Sequence, residues 1–139
     1  QIHIVSFFDL TWAENRGVSM GFLEASSDAQ RWLLVALTAL IAGVVGVWMW
    51  REKLRGDVLA LSMVLGGALG NIVDRYRFGY VVDFADFHIG TFRPFLIFNL
   101  ADAAITVGVV ILLARALFMG EKPAKEQDEP TGGETAAGD

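Results

Sequence analysis

Four aspartates in the second half of the chain, Asp74, Asp83, Asp86 and Asp102, stand in or beside apolar sequence. Asp102 is the only charged residue in positions 95–114 (FLIFNLADAAITVGVVILLA). A helix needs about 20 apolar residues to cross a bilayer. Keeping an ionisable group in such a run costs ~2.5–3.5 kcal/mol even on the mildest insertion scale, so it calls for a partner and usually a function. Asp83 lies among Val81, Val82 and Phe84, an apolar setting that raises a carboxyl pKa. Two carboxylates converging at a half-dry membrane rim share one proton, because close like charges resist double ionisation. One then acts as base on a water and the other as acid toward a carbonyl oxygen. That is aspartic-peptidase chemistry, and it needs no metal or cofactor.

Spacing alone leaves Asp83, Asp86 and Asp74 open as the partner of Asp102. Blander readings stand beside the dyad: Asp102 bridging helices to Arg75, Asp74 pairing locally with Arg75, and Asp86 as a solvated loop carboxylate. His3 and His88 lack metal-ligand spacing and read as interfacial or loop histidines. The chain has no cysteine, so thiolate metal sites, disulfides and a cysteine nucleophile are excluded. There is no HExxH or GxSxG motif, and Ser62 has no lysine on a matching helical face. No basic patch with interleaved aromatics points to nucleic acid.

The elements that must position these aspartates are membrane spans. Hydrophobic residues make up 54% of the chain, above the ~45–50% of an ordinary soluble domain. Besides 95–118, two segments read as spans, 29–50 with tryptophans near both ends and 58–74, which is short for a crossing. On the second span a helical step gathers Gly66, Gly67, Gly70, Asn71 and Asp74 within an arc of about 140°, with Leu61, Leu65, Leu69 and Ile72 opposite. Gly66 and Gly70 on that arc suit close helix packing. On the third span Asn99, Asp102, Ala103 and Thr106 share a face. If that helix starts at Phe95, Asp102 lies roughly 10 Å below its outer boundary.

Segment 51–57 (REKLRGD) concentrates Arg51, Lys53 and Arg55, so the positive-inside rule makes it a cytoplasmic loop. Lys122 and Lys125 agree with a cytoplasmic C-terminus. Residues 1–28 and 75–94 then fall outside, the first as a β-cradle of short surface strands and the second as an extracytoplasmic loop. The tail 119–139 is acidic and aperiodic and is expected to be disordered. From Glu121 onward it holds six acidic and two basic residues, and so accounts for −4 of the net charge of −5. With the N-terminus outside and the chain opening on Gln1, a further upstream span is expected. The fold class expected is therefore membrane α-helical, three visible transmembrane helices of a four-helix bundle with a small extracytoplasmic β-cradle.

The order Asn15-Arg16-Gly17, GGALGNIVDR (66–75), YVVDF (80–84) and FNLADAAI (98–105) resembles lipoprotein signal peptidase, the bacterial signal peptidase II family. The likeness runs from about residue 7 to residue 117. It implies an inner-membrane aspartic endopeptidase that removes the signal peptide of diacylglyceryl-modified prolipoproteins, cutting before the lipidated cysteine. By the family motif Asp83 and Asp102 form the dyad, Asn15, Gly17, Asn71, Arg75 and Asn99 line the substrate site, and Asp74 supports it. The resemblance also implies no cofactor, a monomer in contact with membrane lipid, a site on the periplasmic side, and inhibition by globomycin-type lipopeptides. Met20 stands where the family often carries a large aromatic, and the family's first span, with an Asp- and Lys-containing motif after it, has no counterpart in this sequence. Two rival readings from other classes are a proton-coupled transporter with Asp102 titrating and a non-catalytic membrane subunit. The apolar stretch 107–113 offers no polar ladder for the transporter, and a subunit has no use for Asp83.

Overall fold

A computed structural model of the chain describes residues 1–17 and 27–120. In chain order the elements are β1 (Ile2–Val5), β2 (Phe8–Asn15), α1 (Ser27–Arg51), α2 (Arg55–Phe78), β3 (Val81–Phe87) and α3 (Leu100–Phe118). Met20 and the acidic tail beyond residue 120 lie outside the described residues. α1, α2 and α3 are long and apolar enough to cross a membrane. Leu37, Leu40 and Val44 of α1 and Val110 and Leu113 of α3 are exposed, as lipid-facing side chains are.

Two helices differ from the spans read in the sequence. α2 continues to Phe78 and has 24 residues, about 36 Å of helix, so it is not short. It ends where Gly79 takes a left-handed backbone and returns its N–H to the Arg75 carbonyl. α3 begins at Leu100, not Phe95. Phe98 is still paired with β3 through hydrogen bonds to Phe84 and Ala85, and Asn99 caps the helix after it. Asp102 therefore sits in the first turn of α3, at the rim rather than a turn or two below it.

α2 is the central helix and packs against both α1 and α3. Leu61, which the helical step sets opposite the polar arc, is consequently buried as well. The close approach to α3 is made by Gly67. A Cβ there would run into the Ala101 carbonyl and lie 2.6 Å from Ile105 Cγ1. Gly108 of α3 answers from the other side, its Cβ position 2.6 Å from the Ala60 carbonyl. Gly66, expected to share in this packing, faces open space, while Gly70 makes ordinary contact with Ala101. At the other end of the helix pair Arg115 Nε donates to Asp57 Oδ1, 2.5 Å away.

The three strands form one antiparallel sheet in the order β1-β2-β3. β3 lies within the segment read from the sequence as a loop; its β-branched and aromatic run VVDFADF is good strand sequence. Leu10 faces Ala85 and Ala13 faces Asp83, so Thr11 and Trp12 together oppose Phe84 in a bulge. Asp83 and Asp86 are three residues apart on a strand and so point to opposite faces. This separation decides the surroundings of each.

Candidate active site

β3 delivers Asp83 to the face of the sheet that meets the helices, where it is 5% exposed. Asn15 is its diagonal cross-strand neighbour on β2, and the Asn15 Nδ2 donates to Asp83 Oδ2 at 3.2 Å. The chain turns immediately after: the Gly17 N–H donates to Asn15 Oδ1 at 3.0 Å. Gly17 has φ +107°, and a Cβ there would sit 2.5 Å from Leu34 Cδ1 of α1. Only glycine fits this turn without strain.

α3 supplies the rest from its first turn. Asn99 Oδ1 accepts from the Asp102 N–H at 2.9 Å, and Asp102 Oδ2 accepts from the Asn99 N–H at 3.3 Å. This reciprocal capping box fixes the Asp102 side chain at the helix N-terminus, where negative charge is favoured. The Asn99 amide has hydrogens left over. Its Nδ2 donates to Asp83 Oδ1 at 2.9 Å and to Asn71 Oδ1 at 3.3 Å. Asn71, from the buried face of α2, donates in turn to Asp102 Oδ1 at 3.2 Å. A chain of two asparagine amides thus links the carboxylates of Asp83 and Asp102, and three elements converge on it.

Burial is the largest influence on the Asp83 carboxyl and pushes it up. The Asp102 charge acts the same way, while the Asn15 and Asn99 hydrogen bonds and Arg75 oppose them; the net shift is upward. Arg75 acts on both aspartates and on Asp74 through its charge. Its Nε is buried, and among the described residues it has no hydrogen-bond partner. Asp74 makes no hydrogen bond to either member of the pair among the described residues. Among those residues, too, no group of three or more His, Asp or Glu is arranged to hold a metal ion.

Beside Asp102 opens an apolar groove of about 460 Å³, lined by Phe87, Phe95, Phe98, Thr106 and Val107 among others. Of the two aspartates, Asp102 lines it. The family model for signal peptidase (SPase) II matches residues 1–118. The chain belongs to the signal peptidase II family. The lipoprotein signal peptidase of Sphingopyxis alaskensis is 60% identical over 131 residues, covering 94% of this chain and 76% of that protein. That of Rhizorhabdus wittichii is 64% identical over 129 residues, covering 91% and 75%. A bacterial membrane enzyme solved at 1.9 Å by the in meso method superposes with a TM-score of 0.71 at 30% identity, over 86% of this chain and 74% of the other. Membership of a signal peptidase family agrees with the peptidase expected from paired aspartates.

The structure brings Asn15, Asn71, Asp83, Asn99 and Asp102 into one hydrogen-bonded group, with Arg75 alongside. Asp86 is elsewhere, and it is no solvated loop carboxylate. It is 1% exposed on the other face of the sheet, held by Thr11 Oγ1 at 3.4 Å and an Arg93 guanidinium nitrogen at 3.2 Å. Beside it in register, Asp9 accepts from Gln1, His3 and His88. Burial raises the Asp9 carboxyl, but the His3 and Gln1 hydrogen bonds and the two histidine charges outweigh it and hold the group below its usual range. Sequence reasoning missed this cluster because its bonded partners lie up to 79 positions apart. It also missed Arg31, which reaches from α1 to the end of α2. The signal available for Arg31 was a single arginine opening an apolar helix.

Proposed function

We propose that this chain cleaves the signal peptide from diacylglyceryl-modified prolipoproteins by aspartic catalysis, with Asp83 and Asp102 as the pair. Signal peptidase activity on lipoprotein precursors is the family's work; the mechanism is inferred from the site. The observation that carries it is the asparagine bridge, which links two carboxylates of different elements, one of them, Asp102, lining an apolar groove. One carboxylate, ionised, takes a proton from a water whose oxygen attacks the scissile carbonyl carbon. The other, protonated, gives its proton to the carbonyl oxygen, producing a tetrahedral diol. The carboxyl that took the water's proton gives it to the amide nitrogen of the lipidated cysteine; as the C–N bond breaks, a diol hydroxyl loses its proton to the other carboxylate, and the dyad regains its single shared proton. The base and acid roles are assigned to the pair rather than to one residue.

Asn15, Asn71 and Asn99 orient the carboxylates, and Arg75 tempers their charge and offers a donor to substrate backbone. A substrate cysteine tethered by its diacylglyceryl anchor is confined to the leaflet edge, where the first turn of α3 would lie. That confinement turns an encounter in three dimensions into a local one. The same reading puts the site on the outer side of the bacterial inner membrane, with loop 51–57 in the cytoplasm. It also makes the enzyme a monomer in contact with membrane lipid and sensitive to globomycin-type lipopeptides. A transporter reading gains nothing from the entirely apolar segment 107–113 below Asp102.

Cleavage of a diacylglyceryl-modified prolipoprotein in membranes tests this directly, comparing Asp83→Asn, Asp102→Asn and Asp86→Asn at equal abundance. Loss of processing in the first two, with most of it kept in the third, is the expected result. Normal cleavage by Asp83→Asn overturns the pair.

A further inference from the structure

Arg75 is the positive group nearest the two aspartates, yet nothing among the described residues holds its Nε. The direction of such a side chain is set from its main chain upward. That main chain lies in the last turn of α2, where helix carbonyls lack intrahelical partners and the dipole is negative. It is held from another helix. Arg31, in the first turns of α1, donates from Nε to the Arg75 carbonyl at 2.6 Å and from a terminal nitrogen to the Tyr76 carbonyl. The Arg75 carbonyl also accepts the Gly79 N–H at 3.1 Å, so both of its lone pairs are engaged. The guanidinium is steadied in turn by the Trp32 ring, 5.0 Å from its carbon, and Trp32 meets Tyr76 edge-on at 6.0 Å. A planar fork is suited to two adjacent carbonyls in a way that an ammonium is not.

We infer that Arg31 is a positioning residue of the active site, fixing the α2 terminus that carries Arg75 and so the place of its charge beside Asp83 and Asp102. The inference rests on the paired-aspartate reading. The alternative is that Arg31 merely fastens α1 to α2. The two differ in what happens to the charge around the dyad. The groups facing it are Asp83 from β3, Asp102 from α3, and Arg75 and Asp74 from α2, with Asn15, Asn71 and Asn99 as neutral donors. If Arg75 drifts away, the cation that acts on both aspartates is lost and ionisation of the pair becomes harder. The bell-shaped pH profile of kcat/KM then moves to higher pH.

The experiment is peptide-bond cleavage of a diacylglyceryl-modified prolipoprotein across pH, with Arg31→Gln, Arg31→Lys, Arg75→Gln, the double variant, Trp32→Leu and Asp83→Asn in the same membranes. Arg31→Gln is expected to lower kcat/KM by about 10–100-fold, mainly through kcat, and to raise the profile by up to about one pH unit. Arg31→Lys is expected to fall between it and wild type. The double variant should be no worse than Arg75→Gln alone within about twofold, because both changes remove one effect. Trp32→Leu removes the ring that steadies Arg31 but leaves the carbonyl contacts, so its profile should shift less than that of Arg31→Gln. An unshifted profile for Arg31→Gln, additive losses in the double variant, or a larger shift in Trp32→Leu than in Arg31→Gln each overturns the positioning role. Full activity of Asp83→Asn instead overturns the dyad on which the role rests, so the two failures are told apart.

Discussion

Asn99 and Asp83 are joined by a 2.9 Å hydrogen bond, and the same Asn99 closes the N-terminus of the helix that carries Asp102. One side chain thereby does two things that are usually separate. Its oxygen satisfies a helix N–H that would otherwise be orphaned, and its nitrogen fixes a carboxylate on another element. The geometry of the proposed pair is thus tied to a local folding motif four residues long. The last hydrogen-bonded step, through Asn71, brings in α2, so helix packing and carboxylate spacing are set together.

Separating those two roles is a direct test. Serine caps helices about as well as asparagine but has no amide to bridge to Asp83. Asn99→Ser should therefore keep nearly wild-type thermal stability in detergent while kcat/KM falls by about 100-fold. Asn99→Ala should lose the activity and also about 1 kcal/mol of stability. Equal activity of Asn99→Ser and wild type would show that the bridge contributes nothing to the reaction.

The raised Asp83 carboxyl carries a pH signature whose sign follows from its causes. Burial, the largest, disfavours the ionised form, so the native state is favoured at low pH. That contribution is fully present below the unfolded value of about 3.9 and is lost as pH rises through the higher folded value. The Asn15 hydrogen bond works in the other direction. Asn15→Ala should consequently shift the kcat/KM profile toward higher pH, measurable with a lipidated precursor in buffered micelles. A profile that stays put or moves down contradicts the Asn15–Asp83 bond.

Three helices and a surface sheet were legible because apolar length and β-branched composition are local properties of the chain. The position of Asp102 was less so. Hydropathy begins the third span at Phe95, yet Phe98 pairs with β3, and only the Asn99 cap starts the helix. Helical-wheel reasoning found the polar edge at Asn71 but left the burial of Leu61 unseen and misjudged Gly66, because it assumes one packed face and α2 has two neighbours. Asp83 and Asp86 looked alike in sequence. Strand alternation places one against the helices and the other against Arg93, and the alternation was hidden while the segment was read as a loop.

The Asp86–Arg93 pair gives a prediction about stability rather than chemistry. Asp86 is almost wholly buried while Arg93 is about half exposed, so removing the arginine strands a buried charge. Discounted for the exposure of Arg93, Arg93→Ala should cost about 1–2 kcal/mol. Asp86→Asn, which removes the charge itself, should cost less. Combining the two should cost less than the sum of the separate effects. Denaturant or thermal unfolding of the purified protein checks this, and a fully additive double variant would mean the pair is not coupled.

Gly66 and Gly67 are adjacent on α2 but meet opposite surroundings, and this makes them a sensitive test of helix packing. At Gly67 a methyl group runs into the backbone carbonyl of Ala101, which cannot rotate away as a side chain could. At Gly66 it meets nothing within 4 Å. Gly67→Ala should therefore destabilise the bundle by about 1–3 kcal/mol through overpacking. Because Ala101 precedes Asp102, the displacement of α3 should also reduce cleavage in the protein that remains folded. Gly66→Ala should be neutral or stabilise by up to about 1 kcal/mol, the helix preference of alanine over glycine, with activity kept. Thermal midpoints and initial cleavage rates of the two variants decide the matter. If both behave alike, the α2–α3 contact runs along a different face, and the asparagine bridge that depends on it would have to be redrawn.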